Sequence, residues 1–239
     1  MRWIGLVAAA AQSVISSSNH RYAPKAAPSP PYQWTLAPAA PPAAGTQAYC
    51  NNTMTSFGGG IVHWPDPRGD FHLFATAMSR GCGIHAWSSN AKVIHAVAHS
   101  VEGPYAWADD ALPVLHAAPG IIRAPDGTFL LFSMGSTNSS LEVDCPGGEP
   151  VQRRHQIEWD VRLHSATSPY GPWSPVYGGP NGSAVLWRAV NPTPSPWVLS
   201  NGTVIVIGGG LYIAPHWQGP YIKAPGPPVT TGFNWTECN

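Results

Sequence analysis

Three short segments of the sequence share one pattern, in which Gly-Pro is followed by an aromatic residue. They read VEGPYAW at 101–107, SPYGPWS at 168–174 and HWQGPYI at 216–222. A segment with the apolar alternation of a half-buried strand precedes each of them, at 93–100, 161–168 and 211–216. A turn that recurs after the same kind of strand indicates that the chain repeats one structural unit.

Each repeat also contains a β-hairpin signal. An apolar strand, a turn with Gly-Asp, Asp-Gly or Asn-Gly, and a second apolar strand occupy 61–76, 121–133 and 197–208. Asp-Gly and Asn-Gly favour hairpins because both turn positions tolerate a positive φ. Further strand-like segments follow two of the Gly-Pro turns, at 105–115 and 173–178, so the unit has about four strands. Repeats of this kind predict the blades of a β-propeller.

The spacing of the repeats predicts an all-β fold with about three blades. The first covers roughly 57–117, the second roughly 118–195, and the third begins near 196. Propellers close with at least four blades, and an open arc leaves unpaired strand edges. Either this count of blades is too low or the chain comes from a truncated gene model, and we expect truncation.

The composition and the N-terminal segment predict export. The 12 basic and 12 acidic residues balance, so no electrostatic footprint for nucleic acid exists, and the 27 Pro and 25 Gly residues disfavour long helices. Arg2 and the short apolar run at 3–11 are typical of a signal peptide, assigned to 1–18. A Pro/Ala-rich leader follows at 19–45, and the propeller domain spans 46–239. No apolar segment reaches the ~18–20 residues of a membrane span.

Cysteines and glycosylation motifs support the same compartment. The four cysteines could form two disulfides in any of three connectivities, and their spacing matches no zinc site. They are Cys50, Cys82, Cys145 and Cys238. Five N-x-[ST] motifs favour an exported glycoprotein. Their asparagines are Asn51, Asn138, Asn181, Asn201 and Asn234.

Short motifs at the predicted blade starts resemble those of a known superfamily. SFGG at 56–59, HAAP at 116–119 and NPTP at 191–194 are similar to the SWGG, HNP and NP-P motifs of five-bladed arabinanase/levansucrase/invertase propellers. The resemblance covers about 55–239 and is closest to a branch of secreted eukaryotic proteins related to family 43 glycoside hydrolases. The chain ends at 236–239, about where a later blade of these relatives starts with EDP.

The resemblance implies glycoside hydrolysis by paired carboxylates at one end of the central channel. The first two blade starts contain no acid, and Ala77 stands where the relatives often have Glu. Asp66, Asp70 and Asp126 lie in predicted hairpin turns, which accounts for them without a catalytic role.

Glu158 and Asp160 are the best acid pair in the sequence. They alternate on one face near the start of a predicted strand, after the longest insertion at 136–156. We expect this strand start to be solvated, and we take Glu158 as the candidate general acid.

Four further residues are candidates for sugar binding. His116 and Asn191 stand at blade starts, while Trp87 and Asn90, in the loop at 81–90, match positions shared with the relatives. An aromatic face and an amide suit sugar recognition, although Trp87 packing in the channel or on the next blade is the alternative. The resemblance leaves room for a channel cation such as calcium, and no other cofactor is expected.

The sequence supports two main functional hypotheses. The first is a secreted, carbohydrate-active propeller, a glycosidase that acts on an oligo- or polysaccharide. The second is a non-catalytic carbohydrate-binding or surface propeller that has lost the catalytic carboxylates. A truncated, non-functional gene product is a third alternative.

Overall fold

The chain folds into three antiparallel β-sheets that follow one another along the sequence. A computed structural model describes residues 49, 51, 53–135, 142–151, 158–190 and 192–225, all of them within one compact unit. The first sheet contains, in hydrogen-bonded order, β1 (Ser56–His63), β2 (Phe71–Met78), β3 (Ala91–Ala98) and β4 (Ala106–Leu112). The second contains β5 (His116–Arg123), β6 (Phe129–Gly135), β7 (Trp159–Ala166) and β8 (Ser174–Pro175) in that order, and β9 (Val185–Ala189) pairs with β7. The third contains β10 (Ser195–Val198), β11 (Val204–Ile207), β12 (Leu211–Ala214) and β13 (Ile222–Lys223).

Helical segments are short and lie in the connections. The described residues contain one four-residue α-helix, α1 (Trp87–Asn90), and three 3-10 helices, Ile84–Ala86, Pro146–Gly148 and Pro180–Gly182. None of the described helices is long and apolar enough to cross a membrane. The predicted signal peptide at 1–18 and the leader at 19–45 lie outside the described residues.

The three Gly-Pro segments form one and the same turn. Each connects the third strand of its sheet to the fourth, and each contains a cis peptide bond before Pro. The N–H groups of Gly103, Gly171 and Gly219 donate to the carbonyl oxygen three residues earlier, at 3.0, 3.0 and 2.9 Å. Tyr105 and Tyr221 then each donate a hydroxyl hydrogen bond to the carbonyl four residues earlier. The repeat seen in the sequence is therefore a repeat of structure.

The first strands of the three sheets lie side by side. A side chain added at Gly60 of β1 would come within 3.0 Å of Ile121 in β5. One added at Gly120 of β5 would come within 2.6 Å of the Pro194 carbonyl oxygen, next to β10. Propeller blades are arranged in this way: their inner strands meet, and each sheet extends outwards from them as a meander. The predicted fold class, with three blades in this chain, is confirmed.

Strand β6 shows why the core is continuous from sheet to sheet. Phe129 and Leu131 pack against β2 and β3 of the first sheet, whereas Leu130 and Phe132 pack against β11 and β12 of the third. All four are fully buried. A strand covered on both faces loses the polar alternation of a half-exposed strand, which explains the uninterrupted FLLF sequence.

The third sheet has one covered and one open face. Val204, Val206 and Tyr212 point to the second sheet and are buried. On the opposite face, paired positions place Trp197, Ile213 and Ile222 in a row, and their exposed fractions are 55%, 37% and 63%. The third sheet therefore presents a row of apolar side chains to solvent.

Candidate active site

The inner strands of the first two sheets begin with the same irregularity. Each pairing with the next strand shifts register near its start, and the extra residue has a left-handed backbone, φ 56° at Gly58 and φ 48° at Ala118. Leu115, just before β5, has φ 77°. Such conformations cost a non-glycine residue about 1–2 kcal/mol, and they cluster at functional sites. His116 stands between Leu115 and Ala118, so a strained backbone sets its position.

His116 contacts two polar side chains of its own sheet. Its Nδ1 lies 3.0 Å from the Oγ of the buried Ser133, and its ring meets that of His164 edge to face, with centroids 5.2 Å apart. Burial, then His164 and Arg162, lower the pKa of His116 to about 3. Burial and Arg162 lower the pKa of His164 to about 4. Both imidazoles are therefore neutral at neutral pH.

His116, Ser133, Asp160, Arg162 and His164 form one cluster, and strand β7 supplies its charged residues. Asp160, Arg162 and His164 alternate along it and so share one face. Asp160 is only 2% exposed, and both of its oxygens are engaged. Oδ1 accepts from Nε of Arg188 at 2.7 Å, and Oδ2 accepts from Nη2 of Arg162 at 3.3 Å.

The expected solvated acid pair is therefore wrong for Asp160. The start of the strand was expected to be solvated, but β9 pairs along it and brings Arg188 directly opposite Asp160. Glu158 lies one residue before β7 and is exposed. It remains the candidate acid, without a demonstrated role.

Two nitrogen atoms of the cluster have no partner among the described residues. Nε of Arg162 and Nδ1 of His164 are buried and make no hydrogen bond there. A buried polar atom left unpaired costs about 1–3 kcal/mol. A polar ligand group or a water molecule at this position would remove that cost, which makes the cluster the candidate for a binding site.

A second buried histidine pair provides a contrast. In the first sheet, Nδ1 of His72 lies 2.9 Å from Nε2 of His95, and Nε2 of His72 lies 2.9 Å from the Trp64 carbonyl oxygen. Nδ1 of His95 lies 3.2 Å from Oδ2 of Asp109. All four ring nitrogens have partners within the chain. This pair links neighbouring strands and leaves nothing for a ligand to satisfy.

Two tryptophans lie beside the start of β5. The rings of Trp87 and Trp159 are tilted against each other with centroids 4.9 Å apart, and they pack with Ala117, the residue after His116. Trp159 is buried, and its Nε1 is also unpaired among the described residues, while Trp87 is half-buried. Trp87 thus packs on the second blade, as one alternative predicted, and still presents part of its surface.

Asn90 holds the neighbouring loops together. Its Nδ2 donates to the carbonyl oxygen of Val143 at 2.9 Å and to Oγ of Ser79 at 3.3 Å. Its Oδ1 accepts from Oγ of Ser89 and from the Val143 N–H. The side chain is fully buried, and all four hydrogen-bonding positions of the amide are filled. In this structure Asn90 supports the loop and offers no group to a sugar.

A disulfide joins the same two segments. Cys82 and Cys145 are bonded and connect the loop before α1 to the insertion between β6 and β7. This connectivity is one of those left open by the sequence. The candidates Cys50, Cys238 and Asn191 lie outside the described residues, as do the glycosylation candidates Asn138 and Asn234.

Sequence reasoning missed three members of the cluster. Ser133, Arg162 and His164 were treated only as parts of strands. The signal for two of them was present, because WDVRLH places Asp160, Arg162 and His164 at every second position of one strand. Their approach to His116 depends on pairing between strands, which the local sequence does not specify.

The cluster does not fit a calcium ion. Calcium takes six to eight oxygen ligands, preferably carboxylates and carbonyls. Here the groups around His116 are an imidazole, a hydroxyl and the guanidinium of Arg162, whose positive charge opposes a cation. Among the described residues, no group of three His, Cys, Asp or Glu side chains could hold a metal.

Comparison with known proteins gives similarities at the level of structure. No protein-family model matches the chain, and no curated protein matches it significantly. A family 117 glycoside hydrolase, Zg3597 from the marine bacterium Zobellia galactanivorans, is 17% identical with a TM-score of 0.49, over 77% of this chain and 57% of that one. An endo-arabinase from Bacteroides thetaiotaomicron is 12% identical with a TM-score of 0.45, over 70% and 60%.

A thermostable family 43 glycoside hydrolase is 14% identical with a TM-score of 0.45, over 73% of this chain and 55% of that one. The chain therefore spans between 55% and 60% of the length of these three structures. They are proteins of the kind that the blade-start motifs resemble. Similarity at this level concerns the fold and says nothing of activity.

Proposed function

We propose that the chain is part of a secreted, carbohydrate-active propeller of the glycoside-hydrolase type, which binds an oligo- or polysaccharide at the start of strand β5. The observation that carries the proposal is the cluster of His116, Arg162 and His164. It combines a strained strand start with buried nitrogens that lack partners among the described residues. Sites that hold polar ligands supply a few placed polar groups of this kind.

The neighbouring tryptophans add the second requirement of a sugar site. Sugar rings have apolar C–H faces and polar edges, so they are bound by aromatic surfaces together with hydrogen-bonding groups. Trp87 is half-buried and packs on Trp159, one residue before Asp160 in the chain. The aromatic pair and the histidine cluster therefore flank the same end of β5.

Hydrolysis requires an acid in addition to binding. Glu158 is exposed and precedes the strand that carries the cluster, which supports it as the candidate general acid. Asp160 is less suitable because two arginines engage both of its oxygens. In this proposal Asp160 orients Arg162, and Glu158 protonates the oxygen of the leaving group. Water attacks the anomeric carbon and gives its proton to a second carboxylate, to which none of the described residues is assigned.

Secretion is part of the proposal. The signal-peptide pattern at 1–18 supports it, and the Cys82–Cys145 disulfide belongs in an oxidising compartment. Asn181 and Asn201 occupy exposed turns, where an oligosaccharide chain would meet no steric obstacle. Asn51 is half-buried, with its Oδ1 accepting from Thr53.

A panel of polysaccharides and aryl glycosides tests the proposal with the full chain. Turnover that is lost in Glu158→Gln, while binding remains, supports the hydrolase and the role of Glu158. Saturable binding without turnover on any substrate favours the non-catalytic alternative. If no carbohydrate binds, or if binding is unaffected by Trp87→Ala and by His116→Ala in folded variants, the proposed function is refuted.

A further inference from the structure

The unpaired groups of the cluster call for a ligand that accepts hydrogen bonds. Nε of Arg162 carries a hydrogen and has no lone pair, so it can only donate. Nδ1 of His164 can donate in the matching tautomer. Both atoms are buried, and neither has a partner among the described residues. An oxygen with free lone pairs would satisfy either nitrogen.

The charge distribution favours an anion among such acceptors. Asp160 makes its shorter contact, 2.7 Å, with Arg188, which is exposed, and its longer contact, 3.3 Å, with Arg162. The side chain of Arg162 is only 24% exposed, so water screens its charge little. The two histidines beside it are neutral at neutral pH and add no negative charge. Arg162 is therefore a partly buried cation that shares the carboxylate of Asp160 with Arg188.

We propose that Arg162 and His164 bind an anionic group of the carbohydrate, a carboxylate or a sulfate ester on an acidic sugar. This inference rests on the proposed function and narrows its substrate class to acidic oligo- or polysaccharides. A planar guanidinium suits either group, because carboxylate and sulfate oxygens accept charge-assisted hydrogen bonds from it. The second histidine of the cluster, His116, is held by its hydrogen bond with Ser133.

The same contacts separate this site from a metal centre. A channel cation would have to lie beside the guanidinium of Arg162 and take its ligands from two imidazoles and one hydroxyl. The nearest carboxylate, Asp160, already has an arginine on each oxygen. The geometry is therefore that of an anion site and does not suit a cation.

Inorganic sulfate and acetate test the anion site independently of any sugar. Binding is measured by isothermal titration calorimetry on the full chain at constant ionic strength, with calcium chloride titrated in parallel. We expect saturable sulfate or acetate binding that weakens at least tenfold in Arg162→Gln. The matched control is Arg80→Gln, which removes the same charge from an exposed residue paired with Glu142 and Asp144.

A second variant keeps the test decisive if Arg162→Gln does not fold. His164→Phe removes the Nδ1 donor and preserves an aromatic ring against His116, and we expect it to weaken the anion by a similar factor. Anion binding that is absent in the wild type, or equal in wild type and a folded cluster variant, overturns the inference. Calcium binding that disappears in His164→Phe overturns it as well.

A sugar pair then separates this inference from the proposed function. Trigalacturonic acid and its methyl ester share sugar and linkage and differ only in charge, and a sulfated oligosaccharide with its desulfated form provides the second pair. Tighter binding of the charged member than of the uncharged one, with the difference lost in Arg162→Gln and His164→Phe, supports the inference. The pair that shows the difference tells whether the anion is a carboxylate or a sulfate. Equal binding of both members refutes the inference and leaves the function standing. Anion binding without any sugar binding refutes the function and leaves the anion site.

Discussion

Lowering the pH from 7 to 5 should destabilise this protein through His116 and His164. Both are partly buried, neutral imidazoles near Arg162, and their pKa values fall from 6.5 to about 3 and about 4. The unfolded chain binds protons at these histidines near pH 6.5, whereas the folded chain does not. Stability is therefore fully present above the unfolded pKa and is lost as the pH falls towards the folded pKa.

The size of the effect follows from the two pKa values. Each pH unit in which only the unfolded state is protonated costs about 1.4 kcal/mol per histidine. From pH 7 to pH 5, His116 and His164 each account for about 2 kcal/mol, so together they remove about 4 kcal/mol from the free energy of unfolding. Burial and the nearby His95 also lower the pKa of His72, which adds in the same direction. The lowered pKa of Asp126 matters only below its ordinary value of 3.8.

Urea unfolding at pH 7, 6 and 5, followed by tryptophan fluorescence, measures the slope. In His164→Phe we expect the loss between pH 7 and pH 5 to fall by about half, that is about 2 kcal/mol. The matched control replaces the exposed His99 by Gln, which removes a histidine without touching the cluster. A wild-type free energy of unfolding that is flat over this range, or a slope that His164→Phe leaves unchanged, refutes the reasoning.

Three further predictions concern the scaffold around the site. Replacing Cys82 and Cys145 by Ala opens a loop with a sequence separation of 63, which should lower the free energy of unfolding by about 4 kcal/mol in urea titrations, and a loss below 1 kcal/mol would contradict this. Asn90→Ala removes four hydrogen bonds inside the fold, so we expect it to lower the free energy of unfolding by about 2–3 kcal/mol. The sugar affinity of the folded molecules should stay unchanged, and a weaker affinity would show that Asn90 contacts the sugar. Gly59→Ala would place a Cβ 2.2 Å from the Phe74 carbonyl oxygen and should prevent folding. Gly58→Ala has open space around the added Cβ and should lower the free energy of thermal unfolding by only about 1–2 kcal/mol. Similar losses in the two variants would contradict the bulge geometry.

The blades could be predicted from the sequence because their signals are local. Gly-Pro turns and Asp-Gly or Asn-Gly hairpins are determined by neighbouring residues, and the observed strands follow them closely. Asp66 and Asp126 are examples, since each accepts a hydrogen bond from an N–H two residues later, as predicted for turn residues. Such interactions do not depend on how the sheets pack together.

The candidate site was only partly predictable because its contacts join distant strands. His116 was found from its position at a blade start, but Ser133 and His164 reach it through pairing of β5, β6 and β7. Asp160 was misjudged for the same reason: its burial depends on Arg188, 28 residues away in the chain. Asn90 is similar, because two of the four hydrogen bonds of its amide are made with Val143, 53 residues away.

The acid sensitivity and the proposed anion site are two consequences of one arrangement. Burial lowers the pKa of both histidines, and the charge of Arg162 lowers it further because it repels a proton; the same charge attracts an anion. A bound carboxylate or sulfate would offset that repulsion, so protonation of His116 and His164 would become easier in the complex. By linkage, the anion must then bind more tightly as the pH falls, and it must reduce the acid destabilisation of the folded chain. Sulfate should therefore flatten the loss of unfolding free energy between pH 7 and pH 5 in the wild type and have no such effect in Arg162→Gln.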